Sequence, residues 1–453
     1  MKKSMGILLT LFLVVVTITA CGTSNTSSST SAPATTASDS SKPSEKESAV
    51  TKVVRVVIAA AVNDVDKENN KKIKDLFEKV NPGYKLEFVE MDNKVESGKI
   101  TTLLNSGVDL PNAINISSGP GRVAVLSGAN LIMQLDDFYA KNGWADKLNP
   151  GAYNYISGNK IFEVPNAIDA IEIYYNKDIF QNLGIEVPKT STDFMNALQK
   201  IKASGMTPIS VGARDGFASG WLFGNILEAT AGHKTVDKVL YGQAKWNDDA
   251  YVKAVETLGD WVKQGFIDKE SVTISDNDAK ARFLDKKQAM IAIGTWFITD
   301  IIAKKAEENV GMFTLPSFVA GESTLPTGGP ANSWVIPAKV KDVDLSVKWI
   351  NFILSNDYAK FLGQDPNSNS ISASKAFGSN PPVGKLLQQA IKSIEQGAAY
   401  NPSVFIGAET KSAYYQNLQG IIGGLVKPKD AMANIQAGAD KDASAGFKLT
   451  KSK

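Results

Sequence analysis

An apolar, β-branched run from Val53 to Ile58 is followed by a stripe spaced for a helix (Ile73, Leu76, Phe77, Val80), the turn Asn81-Pro82-Gly83, and a second extended run from Tyr84 to Val89. No other feature of the chain constrains the fold as tightly. A strand, a crossover helix and a second strand form a parallel pair, because the crossover is right-handed almost without exception, and a parallel sheet needs helices on its faces. The pattern then repeats. Ile100, Leu103 and Leu104 mark a helix, Gly107 to Pro111 a turn, and Ala113 to Ile116 a third strand. The fold class is α/β, and the loops at the carboxyl ends of its strands are where such sheets bind ligands.

Further along, Ile171 to Tyr175 reads as a strand. Thr190 with Asp193 forms a capping box before the stripe Phe194, Leu198 and Ile201, and Gly205 ends that helix. Thr207 to Val211 is a strand leading into a polar, glycine-rich loop that runs through Gly220. Val252, Val255, Leu258 and Val262 lie on one helix face, stopped by Gly265. Ala289 to Ile293 and Met312 to Leu315 read as extended, Thr327 to Asn332 as a glycine-rich return loop, and the last hundred residues as mainly helical. No repeat of fixed period occurs.

Ahead of this body lie Lys2 and Lys3, an apolar run from Ile7 to Val16, and Ile18-Thr19-Ala20-Cys21. A basic start, an apolar stretch too short for a permanent span and small residues before a cut describe an export signal over residues 1–20. The sequence before Cys21 resembles the bacterial lipobox, in which the thiol is acylated. From Gly22 to Val50, fifteen of twenty-nine residues are Ser or Thr and almost none is apolar, so no core forms there. Residues 21–50 are read as a lipidated cysteine and a flexible tether whose ends lie on the order of 30 Å apart.

Composition excludes several function classes. Removing residues 1–20 takes away two of the 49 basic residues and leaves them equal to the 47 acidic ones, which argues against nucleic acid as a partner. Cys21 is the only cysteine and His233 the only histidine. Disulfides, zinc sites and Cys/His nucleophilic chemistry are therefore not expected. Neither a Gly-x-Ser-x-Gly elbow nor a phosphate-binding loop occurs. Two calcium-like spacings, Asp64-Asp66-Glu68 and Asp365-Asn367-Asn369, lack the sharp-turn glycine and read as helix caps and turns. No cofactor and no metal is expected.

Three tryptophans stand beside glycine and polar residues: Trp221 after Asp215-Gly216 and Ser219-Gly220, Trp296 after Gly294-Thr295, and Trp334 after Gly328 to Ser333. A flat ring beside carboxylates and amides suits a sugar, whose C–H face packs on the ring while its hydroxyls take the polar groups. Trp144, Trp246, Trp261 and Trp349 are assigned to packing.

Several segments in one order then carry a resemblance: Asn81-Pro82-Gly83, Gly107 to Asn112, Tyr174 to Phe180, Gly184-Ile185, Pro188-Lys189-Thr190, Ile201 to Gly205, and Ala289 to Trp296. Nearly the whole mature chain resembles the family 1 extracellular solute-binding proteins, the sugar-binding lipoproteins of ABC importers related to the maltose-binding proteins. The resemblance implies a two-lobe, type II periplasmic-binding-protein-like fold with a hinge and an interlobe cleft. The lobes implied are residues 51–163 with 327–372, and 164–326 with 373–453. It places Asp169 at the hinge side of the cleft, Asp215 and Trp221 on one wall, and Trp296 as a stacking platform. From the first lobe it brings Asn63, Asp64, Ser117, Ser118 and Arg122, and from the return loop Gly328, Gly329 and Asn332. This chain departs from the family at Pro111-Asn112 and in Ala59-Ala60-Ala61-Val62, which lacks the aromatic residue often seen after the first strand.

The function implied is a monomeric receptor, lipid-anchored at the extracellular face of a bacterial membrane, that delivers an oligosaccharide to ABC permease subunits. Two other readings stay open on sequence. One is a secreted carbohydrate-active enzyme using Asp169 and Asp215 as its two carboxylates. The other keeps the fold for a non-sugar solute.

Overall fold

The computed structural model describes residues 51–156, 160–395 and 397–449. The export signal, Cys21 and the Ser/Thr-rich tether lie outside the described residues.

The expected βαβ unit is present. Strand β1 (Lys52–Ala59) pairs in parallel with β2 (Tyr84–Met91), in the register Val54↔Leu86 and Val56↔Phe88. The helix between them, Asp64–Val80, starts on Asn63, whose side chain accepts the Asp66 N–H at 2.9 Å. Of the four residues in the expected apolar stripe only Phe77 is buried, and Val80 is exposed. β3 (Ala113–Ser117) adds to the other edge of β1, again parallel.

The chain then changes direction through one long strand, β4 (Val164–Asn176). β5 (Ile209–Ser210), β6 (Met290–Gly294), β7 (Val310–Phe313), β8 (Thr327–Val335), β9 (Ile371–Ser372) and β10 (Ala399–Tyr400) complete the ten strands among the described residues. The main path of the sheet is β2-β1-β3-β8-β4-β6-β5. The carboxyl half of β8 pairs antiparallel with β3, from Ile114↔Val335 to Ser117↔Asn332. Its amino half continues along β4 at Asp169↔Gly329, Ala170↔Gly328 and Ile171↔Thr327. Beyond that point β4 pairs with β6 and β7 instead. The antiparallel pair β4/β8 thus runs out of one set of strands and into the other. Near Pro165, which has no N–H to donate, the register slips between Pro165 and Ile168.

Separate packing supports the two ends of that pair. Val57, Ile100, Leu104, Ile114, Leu126 and Val335 form one cluster. Phe194, Leu198, Phe223, Trp261, Tyr414 and Leu418 belong to another. A third joins Phe77, Trp144 and Trp349 to Phe283, Ile291 and Phe297.

Three expectations are corrected. β4 begins seven residues before Ile171, because its first half is held by β8 rather than by the second lobe's sheet. The polar loop after β5 ends at Gly216 rather than Gly220. A helix runs from Phe217 to Ala231, and the small residues Ala218, Ser219 and Gly220 are buried where it meets the helix Ala408–Ile422, with Tyr414 Oη donating to the Gly220 carbonyl. The segment Thr327–Asn332 is not a return loop but the first part of β8. Glycine and proline signal turns only when no neighbouring strand satisfies the backbone.

Candidate functional site

A cleft of about 1380 Å³ opens beside the β4/β8 crossing, lined from both lobes. Trp221 and Trp296 face each other on the second-lobe wall, with ring centroids 4.8 Å apart and planes inclined by 57°. Trp221 sits one turn into the helix Phe217–Ala231, and Trp296 on the short turn Thr295–Phe297 that follows β6. Phe217 extends the aromatic surface, 5.0 Å from Trp221. Both tryptophans are only partly buried, whereas Trp144, Trp246, Trp261 and Trp349 are at most 2% exposed. Trp334, singled out in the sequence with Trp221 and Trp296, is 3% exposed and stands edge-on to Trp349 at 5.0 Å. It belongs to the packing.

Asp169 lies on β4 within the hinge pair. Its Oδ1 accepts the Thr295 hydroxyl at 2.8 Å, and burial pushes the carboxyl up to about 7, with that hydrogen bond working the other way. On β8, next to its register partner Gly329, Gly328 fits because a Cβ there would stand 2.2 Å from the Asp169 carbonyl oxygen. Asp215 accepts the Asp276 N–H at 3.1 Å and lies 3.5 Å from its neighbour Arg214.

Asn332 shows how the hinge arranges polar groups. Its Oδ1 accepts from Asn166 Nδ2 at 2.8 Å and from Asn115 Nδ2 at 3.3 Å, and Asn93 donates in turn to Asn115 at 3.3 Å. This row of carboxamides from β3, β4, β8 and the loop after β2 lines the cleft. Neutral amides offer donors and acceptors without a fixed charge.

The structure therefore brings Asp169, Asp215, Trp221, Trp296, Ser117, Arg122, Gly328, Gly329 and Asn332 to one cleft. Asn63, Asp64 and Ser118 lie outside its lining. Asn63 caps its helix and donates to Asp300 at 2.9 Å, Asp64 is exposed and paired with Lys67 at 2.9 Å, and Ser118 is buried, donating to Glu163 at 2.8 Å. Asp66 takes their place in the lining. Sequence reading missed Asp66, Phe217 and the carboxamides of Asn93, Asn115 and Asn166. No motif marks an amide row, whose members come from four places in the chain.

The calcium-like spacings serve the backbone. Asp64 and Asp66 occupy the first turn of a helix, and Asp365 accepts the Asn367 N–H at 2.9 Å while pairing with Lys72. Among the described residues no group of three or more His, Cys, Asp or Glu is arranged to hold a metal ion.

A cleft with stacking rings and hydrogen-bonding groups can hold a polar solute by its faces and hydroxyls. Residues 60–360, more than half of the chain, match the family model described as bacterial extracellular solute-binding protein. The chain belongs to that family. Like other bacterial extracellular solute-binding proteins it is a binding protein rather than an enzyme. Its sequence is similar to an uncharacterized ABC transporter extracellular-binding protein of Pyrococcus horikoshii, 27% identical over 67% of each chain. The multiple sugar-binding protein of Streptococcus mutans is 24% identical over 80% of this chain and 86% of its own. Among solved structures, a chitin oligosaccharide binding protein superposes with a TM-score of 0.74 at 23% identity, covering 87% of this chain and 99% of its own. A bacterial solute receptor described as preferring β-D-galactopyranose gives 0.75 at 17% identity, over 88% and 100%. These neighbours show the fold, the two-lobe type II arrangement expected from the sequence.

Proposed function

We propose that this solute-binding protein captures a carbohydrate, in particular an oligosaccharide, and passes it to the permease subunits of an ABC importer. In this reading Cys21 carries the lipid that holds a monomer at the extracellular face of a bacterial cytoplasmic membrane, and residues 22–50 form its tether. The lobes are residues 51–163 with 327–372, and 164–326 with 373–453.

The observation that carries the reading is the pairing of Trp221 with Trp296 beside Asp169 and the Asn332 amide row. Aromatic faces receive the C–H side of a pyranose, and the acid and amides receive its hydroxyls. Relatives named for multiple sugars and for maltooligosaccharides support the same class. Asp215 contributes a second acceptor on the wall, and Ser117 and Arg122 reach in from the first lobe. Ligand contacts with both lobes exist only in the closed form, so binding shifts the hinge equilibrium toward closure.

A thermal-shift screen of the protein against mono- and oligosaccharides tests this. A saturating sugar, at about a hundred times its dissociation constant, adds about 2.7 kcal/mol and raises the midpoint by a few degrees. The sugar is recovered intact. Absence of a shift with every sugar overturns the carbohydrate reading in favour of another solute.

A further inference from the structure

The two lobes also meet through charge, at one carboxylate on the edge of the cleft. Glu96 sits on the short turn Val95–Ser97, anchored by Val95 in the cluster of Val57, Ile114 and Val335. Arg122 stands on the helix Pro120–Gly128, whose Val123 and Leu126 belong to that same cluster. Its Nε donates to Glu96 Oε1 at 2.7 Å and its Nη1 to the Ser118 carbonyl at 2.9 Å. Lys411 comes from the other side. It lies in the first turn of the helix Ala408–Ile422, whose Tyr414 and Leu418 pack with Phe223 and Trp261. Its Nζ donates at 3.0 Å to the same oxygen, Glu96 Oε1.

Lys411 is buried, with 5% of its side chain exposed, and Arg122 retains 12%, against 36% for Glu96. Backbones touch beside them. A Cβ on Gly121 would stand 2.0 Å from the Ile406 carbonyl oxygen, so only glycine permits the helix Pro120–Gly128 to come this close. The other carboxylate near Lys411, Asp442, is taken by the Thr410 N–H and hydroxyl and by the Glu409 N–H. Glu96 is therefore the carboxylate that stands between Arg122 and Lys411. A like-charged pair left without it at a desolvated contact is strongly unfavourable.

We propose that Glu96 is a positioning residue for lobe closure: by binding Arg122 of its own lobe and Lys411 of the opposite lobe, it stabilises the closed form before any solute enters and holds Arg122 at the cleft wall. The inference rests on the two-lobe fold and not on which solute is bound. Opening separates Lys411 from Arg122 and returns the lysine to water, so the cluster acts on the open–closed equilibrium rather than on the fold of either lobe. Solute affinity follows, because apparent affinity scales with the closed fraction.

Small-angle scattering of the processed protein, without solute, tests the proposal. Glu96→Gln leaves the two cations facing each other and is expected to enlarge the radius of gyration, with an unchanged thermal midpoint because Glu96 lies at the surface of a turn. Lys411→Arg retains the compact form. In the double variant Glu96→Gln/Lys411→Met the repulsion is gone and compactness returns, a rescue that a merely structural role for Glu96 does not produce. Scattering from Glu96→Gln that superposes on wild type overturns the proposal. So does a double variant as expanded as the single one, or a wild-type curve that already fits an open form. None of these outcomes depends on finding a sugar, so a failed sugar screen leaves this result standing and a failed latch leaves the sugar reading standing.

Discussion

Trp221 and Trp296 keep part of their surface open to the cleft, while the other five tryptophans are at most 3% exposed. Truncation separates the two groups. Trp296→Ala is expected to lower sugar affinity about tenfold or more, as loss of a central aromatic contact does, with little change in melting temperature. Trp261→Ala removes a ring packed on Phe194 at 5.4 Å and is expected to cost about 3–5 kcal/mol of stability. Calorimetric titration and denaturant unfolding of both variants check the pair. Asp169 adds a pH dependence. Burial raises its carboxyl from 3.8 to about 7, so between those values the native protein holds a proton that the unfolded chain has released. Its contribution to stability is therefore greatest at low pH, falls as pH rises from 3.8 to about 7, and is level above that. Asp169→Asn cannot ionise. The difference in thermal midpoint, variant minus wild type, is expected to grow from pH 4 to pH 7 and then flatten; a gap that shrinks over this range contradicts the assignment.

At the scale of elements, local chemistry is sharp where a helix begins. Thr190 and Asp193 form the capping box expected from their spacing, with the Asp193 N–H donating to Thr190 Oγ1 at 3.1 Å and the Thr190 N–H to Asp193 at 3.0 Å. Thr190→Ala is expected to cost about 1 kcal/mol in urea unfolding and to leave sugar affinity unchanged, since the cap is remote from the cleft. Long strands were less legible. Ile171 to Tyr175 announces itself by apolar residues, yet the strand also takes in Pro165 to Ala170, whose pairing partner lies far away in the chain and is itself rich in glycine. Gly328→Ala tests that crossing. The added methyl meets the Asp169 carbonyl and is expected to lower the thermal midpoint and weaken sugar binding together.

For the whole molecule, a receptor that works by closure gains its affinity from contacts that neither lobe makes alone. The cleft draws on β3, β4, β8 and the turns after β2 and β6, and the aromatic pair joins positions seventy-five residues apart in the chain. The proposed lipid anchor belongs to this scale as well. If Cys21 carries the proposed lipid, Cys21→Ala is expected to move the protein from the membrane to the medium in cell fractionation without altering sugar affinity.

The sequence by itself determined the α/β class, the capping box at Thr190 and the burial of Trp144, Trp246, Trp261 and Trp349, since these rest on periodicity, caps and immediate neighbours. It also led, through resemblance, to the family and to nine residues of the cleft lining. Trp334 went to the core instead, and Asn63, Asp64 and Ser118 to a helix cap, a surface ion pair and a buried hydrogen bond. The amide row, the placing of Asp66 and Phe217 in the lining, and the meeting of Arg122 and Lys411 on Glu96 were decided only by tertiary structure. The contacts of Asn115 with Asn332 and of Glu96 with Lys411 join elements hundreds of residues apart in the chain within hydrogen-bond distance, and no local propensity encodes that distance.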